Sequence, residues 1–180
     1  MNKNKTDVRP RVGISSCLLG QKLRYDGRDK ENFYITRSLS QQFEFIAYCP
    51  EVAIGMGVPR APIQLVNTSS GIRALGVADP AMDMTDALKE YANSIKAELE
   101  TLSGYIFTAR SPSCGVQQVK LVDEESVQES GIGIFAARIM QTYPALPVIE
   151  DEQLEQTALR EQFIAQVLAF HQQRLSDRSG

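Results

Sequence analysis

The chain has 180 residues, 43% of them hydrophobic and 23% charged, which suits one globular domain with an ordinary core. Its net charge of −3 gives no broad basic field for a nucleic-acid polymer. The polar start MNKNKTDVRPR is unlike a secretory leader, and no apolar run nears the roughly 20 residues that span a bilayer, so a cytoplasmic protein with no membrane segment is expected.

Residues 1–10 read as a flexible leader ahead of a single α/β domain over 11–175. RVGIS (11–15) is a first short strand, followed by a loop rich in glycine and charge. Residues 31–42 read as a helix, and FEFIAYC (43–49) as a second strand ended by Pro50. Two alternating runs around TSSG predict a β-hairpin near 62–77. In 82–102, Leu88, Tyr91, Ala92, Ile95 and Leu99 recur at helical spacing, with Asp83 or Thr85 as the cap.

GYIFTA (104–109) is a third core strand running into SPSCG. GIGIFAARIMQTY (131–143) reads as a helix stopped by Pro144, LPVIE (146–150) as a short strand, and 151–175 as a last amphipathic helix. Strands alternating with helices predict a Rossmann-like domain, a mostly parallel sheet flanked by helices, interrupted by the hairpin insertion.

The three cysteines cannot all pair within one chain, and each follows a predicted strand: VGIS leads to Cys17, FEFIAY to Cys49, and GYIFTA through ARSPS to Cys114. In open parallel sheets, ligands bind beyond those carboxyl ends, so three thiols would meet at one edge. Free cysteines also fill cores as small apolar residues, but loop residues follow each of these. Thiolates suit zinc, Cu(I) or an iron–sulfur cluster. A structural zinc needs a fourth ligand, and the sole histidine, His171, falls in the polar end of the last helix. A catalytic zinc and a three-cysteine cubane with one open iron both stay in play. The absence of a P-loop or G-x-G-x-x-G gives no sign of ATP or NAD.

GISSCLLGQKLRYDG, CPEVAIGMGVPR, ARSPSCG and LREQFIAQVLAF together resemble the thiouracil desulfidase (TudS-like) family over about residues 11–170. The resemblance implies a 4Fe-4S cluster on Cys17, Cys49 and Cys114, with one iron not bound by protein. It implies non-redox hydrolysis of a thiolated uracil, as base, nucleoside or nucleotide, to uracil or uridine and sulfide. Family members with a second domain act on 4-thiouridine in transfer RNA; no such domain is expected here, which leaves tRNA as the lesser alternative. A zinc-dependent hydrolase and a non-catalytic cluster-bearing redox sensor are the rivals from other classes.

Hydrolysis needs a group to activate water and one to supply a proton. Glu51, two residues after Cys49, matches the family's catalytic glutamate, and Ser111 its serine. A first-turn glutamate and serines beside proline are also ordinary structural choices. Ser113, Arg24, Tyr25, Asp26, Arg60 and Arg110 are the weaker candidates for holding substrate; for each arginine taken singly a structural hydrogen bond or ion pair ranks first. Gly115, and Ser15 and Ser16 before Cys17, would let backbone N–H groups approach a cluster.

Overall fold

A computed structural model of the protein describes residues 9–123 and 126–177. Most of the leader expected at 1–10 lies outside the described residues; Pro10, at its end, is buried and its carbonyl accepts from Glu44 N.

The chain runs β1 (Arg11–Ser15), α1 (Phe33–Arg37), β2 (Glu44–Tyr48), α2 (Pro50–Ala53), β3 (Ile63–Thr68), β4 (Gly71–Gly76) and α3 (Thr85–Ser94). It continues through α4 (Lys96–Leu99), β5 (Gly104–Phe107), β6 (Val119–Val122), β7 (Val127–Gly131), α5 (Ile134–Thr142), β8 (Val148–Glu150) and α6 (Thr157–Asp177). β2, β1, β5 and β8 form a parallel sheet in that order, the expected α/β core. The chain leaves β1 for a neighbour on one side and reaches β5 on the other. The carboxyl ends of β1 and β5 therefore flank a topological switch point, where a crevice opens.

Alternation across β1 sends Val12 and Ile14 to one face, packed with Ile35 of α1 and Phe163 and Val167 of α6. The opposite face carries Tyr48, Tyr105 and Phe107 against Leu99, Phe135 and Ile139 from α4 and α5. Tyr105 reaches across β1 only because residue 13 is glycine. A Cβ there would lie 2.4 Å from the Tyr105 ring.

The hairpin at 62–77 forms as expected, but it is half of a second sheet that the sequence reading did not include. β4, β3, β6 and β7 align in that order, with β3 and β6 parallel and the outer pairs antiparallel. Ile63, Leu65, Ala74 and Val119 of this sheet pack on Leu88 of α3 and Ile134 of α5, so those helices lie between the two sheets.

Four expected helices are shorter or divided; that at 131–143 keeps only Ile134–Thr142, because Gly131 closes β7. The helix at 31–42 reduces to α1 and a 3-10 turn, because Thr36 and Ser40 hydroxyls bond back to the carbonyls of Asn32 and Thr36. The helix at 82–102 breaks at Ile95, just after Ser94 Oγ donates to the Tyr91 carbonyl. At its start Asp83 accepts from Thr85 N at 2.9 Å, while Thr85 Oγ1 accepts from Ala74 N and ties the helix to β4. The last helix starts at Thr157, because 151–155 is a separate 3-10 turn. Among the described residues, no helix is long and apolar enough to cross a membrane.

Candidate active site

β2, β1 and β5 are adjacent, so the cysteines that follow them arrive side by side. Cys17 lies in a 3-10 turn after β1, Cys49 is the residue before α2, and Cys114 sits in the loop after β5. All three line one cavity of about 530 Å³ at the carboxyl edge of the parallel sheet. Cys114 is the deepest at 5% exposed; Cys17 and Cys49 are half-buried, and none is in a disulfide. Burial pushes all three thiols above their ordinary range, Cys114 most strongly, with the Glu51 carboxylate adding to the rise there. On their own they stand as neutral thiols at neutral pH, and binding a cation would release their protons.

The loop carrying Cys114 is held from several directions. Arg110 turns the chain out of β5 with φ of 59°, a conformation non-glycine residues seldom adopt. Ser111 Oγ accepts from the backbone N–H groups of Ser113 at 3.2 Å and Cys114 at 3.1 Å. Its carbonyl accepts from Gly115 N at 2.7 Å. The first N–H groups of α5 donate to this loop, Ile134 to the Pro112 carbonyl and Phe135 to that of Ser113. Gly133 makes that approach feasible, since a Cβ there would lie 2.5 Å from the Ser113 carbonyl carbon. From β8 and beyond, Glu150 accepts from Val116 N at 2.6 Å and Asp151 from Ala109 N at 2.8 Å.

Glu51 reaches the same cavity from α2. Its Oε2 accepts from Arg60 Nε at 2.6 Å, and its Oε1 from Ser113 Oγ at 2.7 Å. The other candidates separate clearly. Ser111, Arg24, Tyr25, Arg60 and Arg110 line the cavity; Ser113 and Asp26 do not. Ser113 is wholly buried behind Glu51. Asp26 accepts from Arg28 N and pairs with Arg24 at 3.7 Å, while Arg110 pairs with Glu152 at 2.8 Å. Gly115 fits tightly under the loop, and Ser15 Oγ accepts from Thr108 N. His171 bonds Ser103 and is not part of the cavity wall.

Sequence reasoning missed Thr108 and Lys30. Thr108 Oγ1 lies 3.1 Å from Cys17 Sγ. Its position at the end of a predicted strand, the feature that singled out the cysteines, was the available signal. Lys30 borders the cavity and pairs with Asp151 at 2.9 Å. Nothing local marks it, because its partner comes from the far side of the sheet.

A doubly wound α/β domain whose switch-point crevice is lined by three thiols and a clamped carboxylate has the form of a small-molecule enzyme site. The family model for 2-thiouracil desulfurase matches residues 12–151, and the chain belongs to that family, an enzyme of the thiouracil desulfidase type. The uncharacterized protein YbbK of Bacillus subtilis (strain 168) is 29% identical over 139 residues, 71% of this chain and 88% of its own length. Among solved structures, the 4Fe-4S-dependent thiouracil desulfidase TudS matches with a TM-score of 0.64 at 25% identity, covering 86% of this chain and 99% of the other.

Proposed function

We propose that this protein removes sulfur from a thiolated uracil by hydrolysis, using a 4Fe-4S cluster on Cys17, Cys49 and Cys114. The observation that carries the reading is the arrival of three thiols from adjacent strands around one cavity that Glu51 also enters. The cavity is within the roughly 300–1,000 Å³ usual for small-molecule sites.

Support for a cluster comes from the matched TudS structure, which is 4Fe-4S-dependent, and from the chemistry of a three-thiolate donor set. Among the described residues, no three of His, Cys, Asp and Glu are grouped as a single-ion site.

When bound, such a cluster offers an iron without a protein ligand, a Lewis acid that favours sulfur. The reaction balances as thiouracil plus water giving uracil plus hydrogen sulfide, with no net oxidation or reduction. Glu51 takes a proton from the water that attacks the ring carbon and returns one to the leaving side. Ser111 accepts two backbone N–H bonds at its oxygen, which leaves its own O–H free to donate into the cavity. Arg24 and Tyr25 line the substrate side. Base, nucleoside and nucleotide forms all belong to the proposed substrate class.

The test is anaerobic reconstitution followed by iron, sulfide and zinc analysis and a visible spectrum. About four irons and four sulfides per chain in brown protein are expected. Stoichiometric zinc, or colourless protein after reconstitution, would overturn the reading.

A further inference from the structure

We propose that Arg60 is a positioning residue that sets the Glu51 carboxylate and the loop Leu23–Tyr25 in one register over the cavity. The inference rests on the desulfidase reading above and gives Arg60 a task other than gripping substrate.

Glu51 cannot be aimed by its own helix. α2 has four residues, and Pro50 is the buried one among them. The carboxylate is aimed instead by two donors, Arg60 Nε on Oε2 and the hydroxyl of Ser113, 0% exposed, on Oε1. Each oxygen thus has one protein donor and keeps a lone pair for the cavity. The Arg60 side chain is itself only 6% exposed, against 13% for Glu51, so this pair is little screened by water.

The same guanidinium also holds the 23–25 loop. Its Nη1 donates to the Leu23 carbonyl at 2.8 Å and to that of Gly57 at 3.1 Å, and the Arg60 backbone N–H donates to the Tyr25 carbonyl at 2.9 Å. The Leu23 carbonyl also lies 3.9 Å from Cys49 Sγ. Arg24 and Tyr25, which border the cavity, are therefore held relative to Glu51 through one residue, the guanidinium acting at Leu23 and the backbone N–H at Tyr25. A planar guanidinium can serve a carboxylate with one nitrogen and carbonyls with another, which a lysine ammonium does poorly.

The test uses the full chain, reconstituted anaerobically, with 2-thiouracil as substrate. Misplacing a catalytic group by about 1 Å costs about 100-fold, so Arg60→Ala should lower kcat by that order with iron, sulfide and visible spectrum unchanged. Added guanidinium salt should restore part of the loss. Arg60→Lys should fall between, with a raised KM because the Leu23–Tyr25 loop loosens. Ser113→Ala touches Glu51 but not that loop, and should lower kcat about 10-fold at unchanged KM.

Arg60→Ala with kcat within about twofold of wild type, the limit of a negligible free-energy change, would overturn the proposal. So would a loss of activity that merely tracks lost iron. If Arg60→Ala does not fold, Arg60→Lys and Ser113→Ala decide by the kcat and KM split. Cluster-bearing wild type that leaves 2-thiouracil, 4-thiouracil and their nucleosides and nucleotides all intact would overturn the functional reading and this proposal together; wild type active on one of them beside an unimpaired Arg60→Ala overturns the proposal alone.

Discussion

In the parallel sheet, three neighbouring strands are each followed by a cysteine; in the mixed sheet β4-β3-β6-β7, none is, and β7 exposes four of its five residues. Topology accounts for the difference. Crossover connections leave every carboxyl end of a parallel sheet on one edge, so loops distant in sequence meet there. Antiparallel neighbours alternate their ends and cannot gather loops in that way. The mixed sheet serves the site indirectly. It contributes Ile63 to the cavity wall and packs Ile134 at the start of α5, the end that receives the Cys114 loop.

That contrast can be broken by substitutions on either side of it. The largest effect belongs to the thiols: Cys17→Ala, Cys49→Ala or Cys114→Ala should each abolish bound iron and turnover together, read by metal analysis beside a thiouracil assay. A variant that keeps both would remove its cysteine from the proposed cluster. Glu51→Gln should keep the cluster and lower kcat by about 10²–10⁴-fold, the usual contribution of a general acid–base group. Full turnover in that variant would detach the carboxylate from the chemistry.

Gly133→Ala probes the support from α5. The added methyl group would overlap the Ser113 carbonyl carbon, so the Cys114 loop must shift. Overpacking of this kind costs about 1–3 kcal/mol, and both the melting temperature and cluster occupancy should drop. Arg73→Ala sits at the quiet end of the series. Arg73 on β4 pairs with Asp83 and Asp86, remote from the cavity wall, and its loss should leave iron content and kcat unchanged. A substantial fall in kcat would mean the mixed sheet takes part in the chemistry.

The parallel core was legible because its signals are local. Short apolar runs at 11–15, 43–49 and 104–109 each end at or lead into a cysteine flanked by loop residues. The mixed sheet beyond its hairpin was not. VKLV and VQESG are four and five residues long, and VQESG, exposed over four of its five positions, carries no apolar pattern to mark it. Within the site, the sequence pointed to the three cysteines, Glu51 and Ser111, all of which the fold brings to one cavity. It did not reveal that Ser113 turns inward or that Arg60 joins Glu51 to the Leu23 carbonyl. Those contacts join residues 62 and 37 positions apart, and only the folded chain specifies them.

The central claim is that sulfur leaves a thiolated uracil at the cysteine-lined cavity and that the bound cluster is required. The most direct measurement compares anaerobically reconstituted protein with the metal-free chain on 2-thiouracil, quantifying uracil and sulfide together. The account predicts equimolar uracil and sulfide over many turnovers from the reconstituted protein and neither from the metal-free chain. Equal activity in both, or reconstituted protein with its full iron complement that releases no sulfide from 2-thiouracil, 4-thiouracil or their nucleosides and nucleotides, would contradict it.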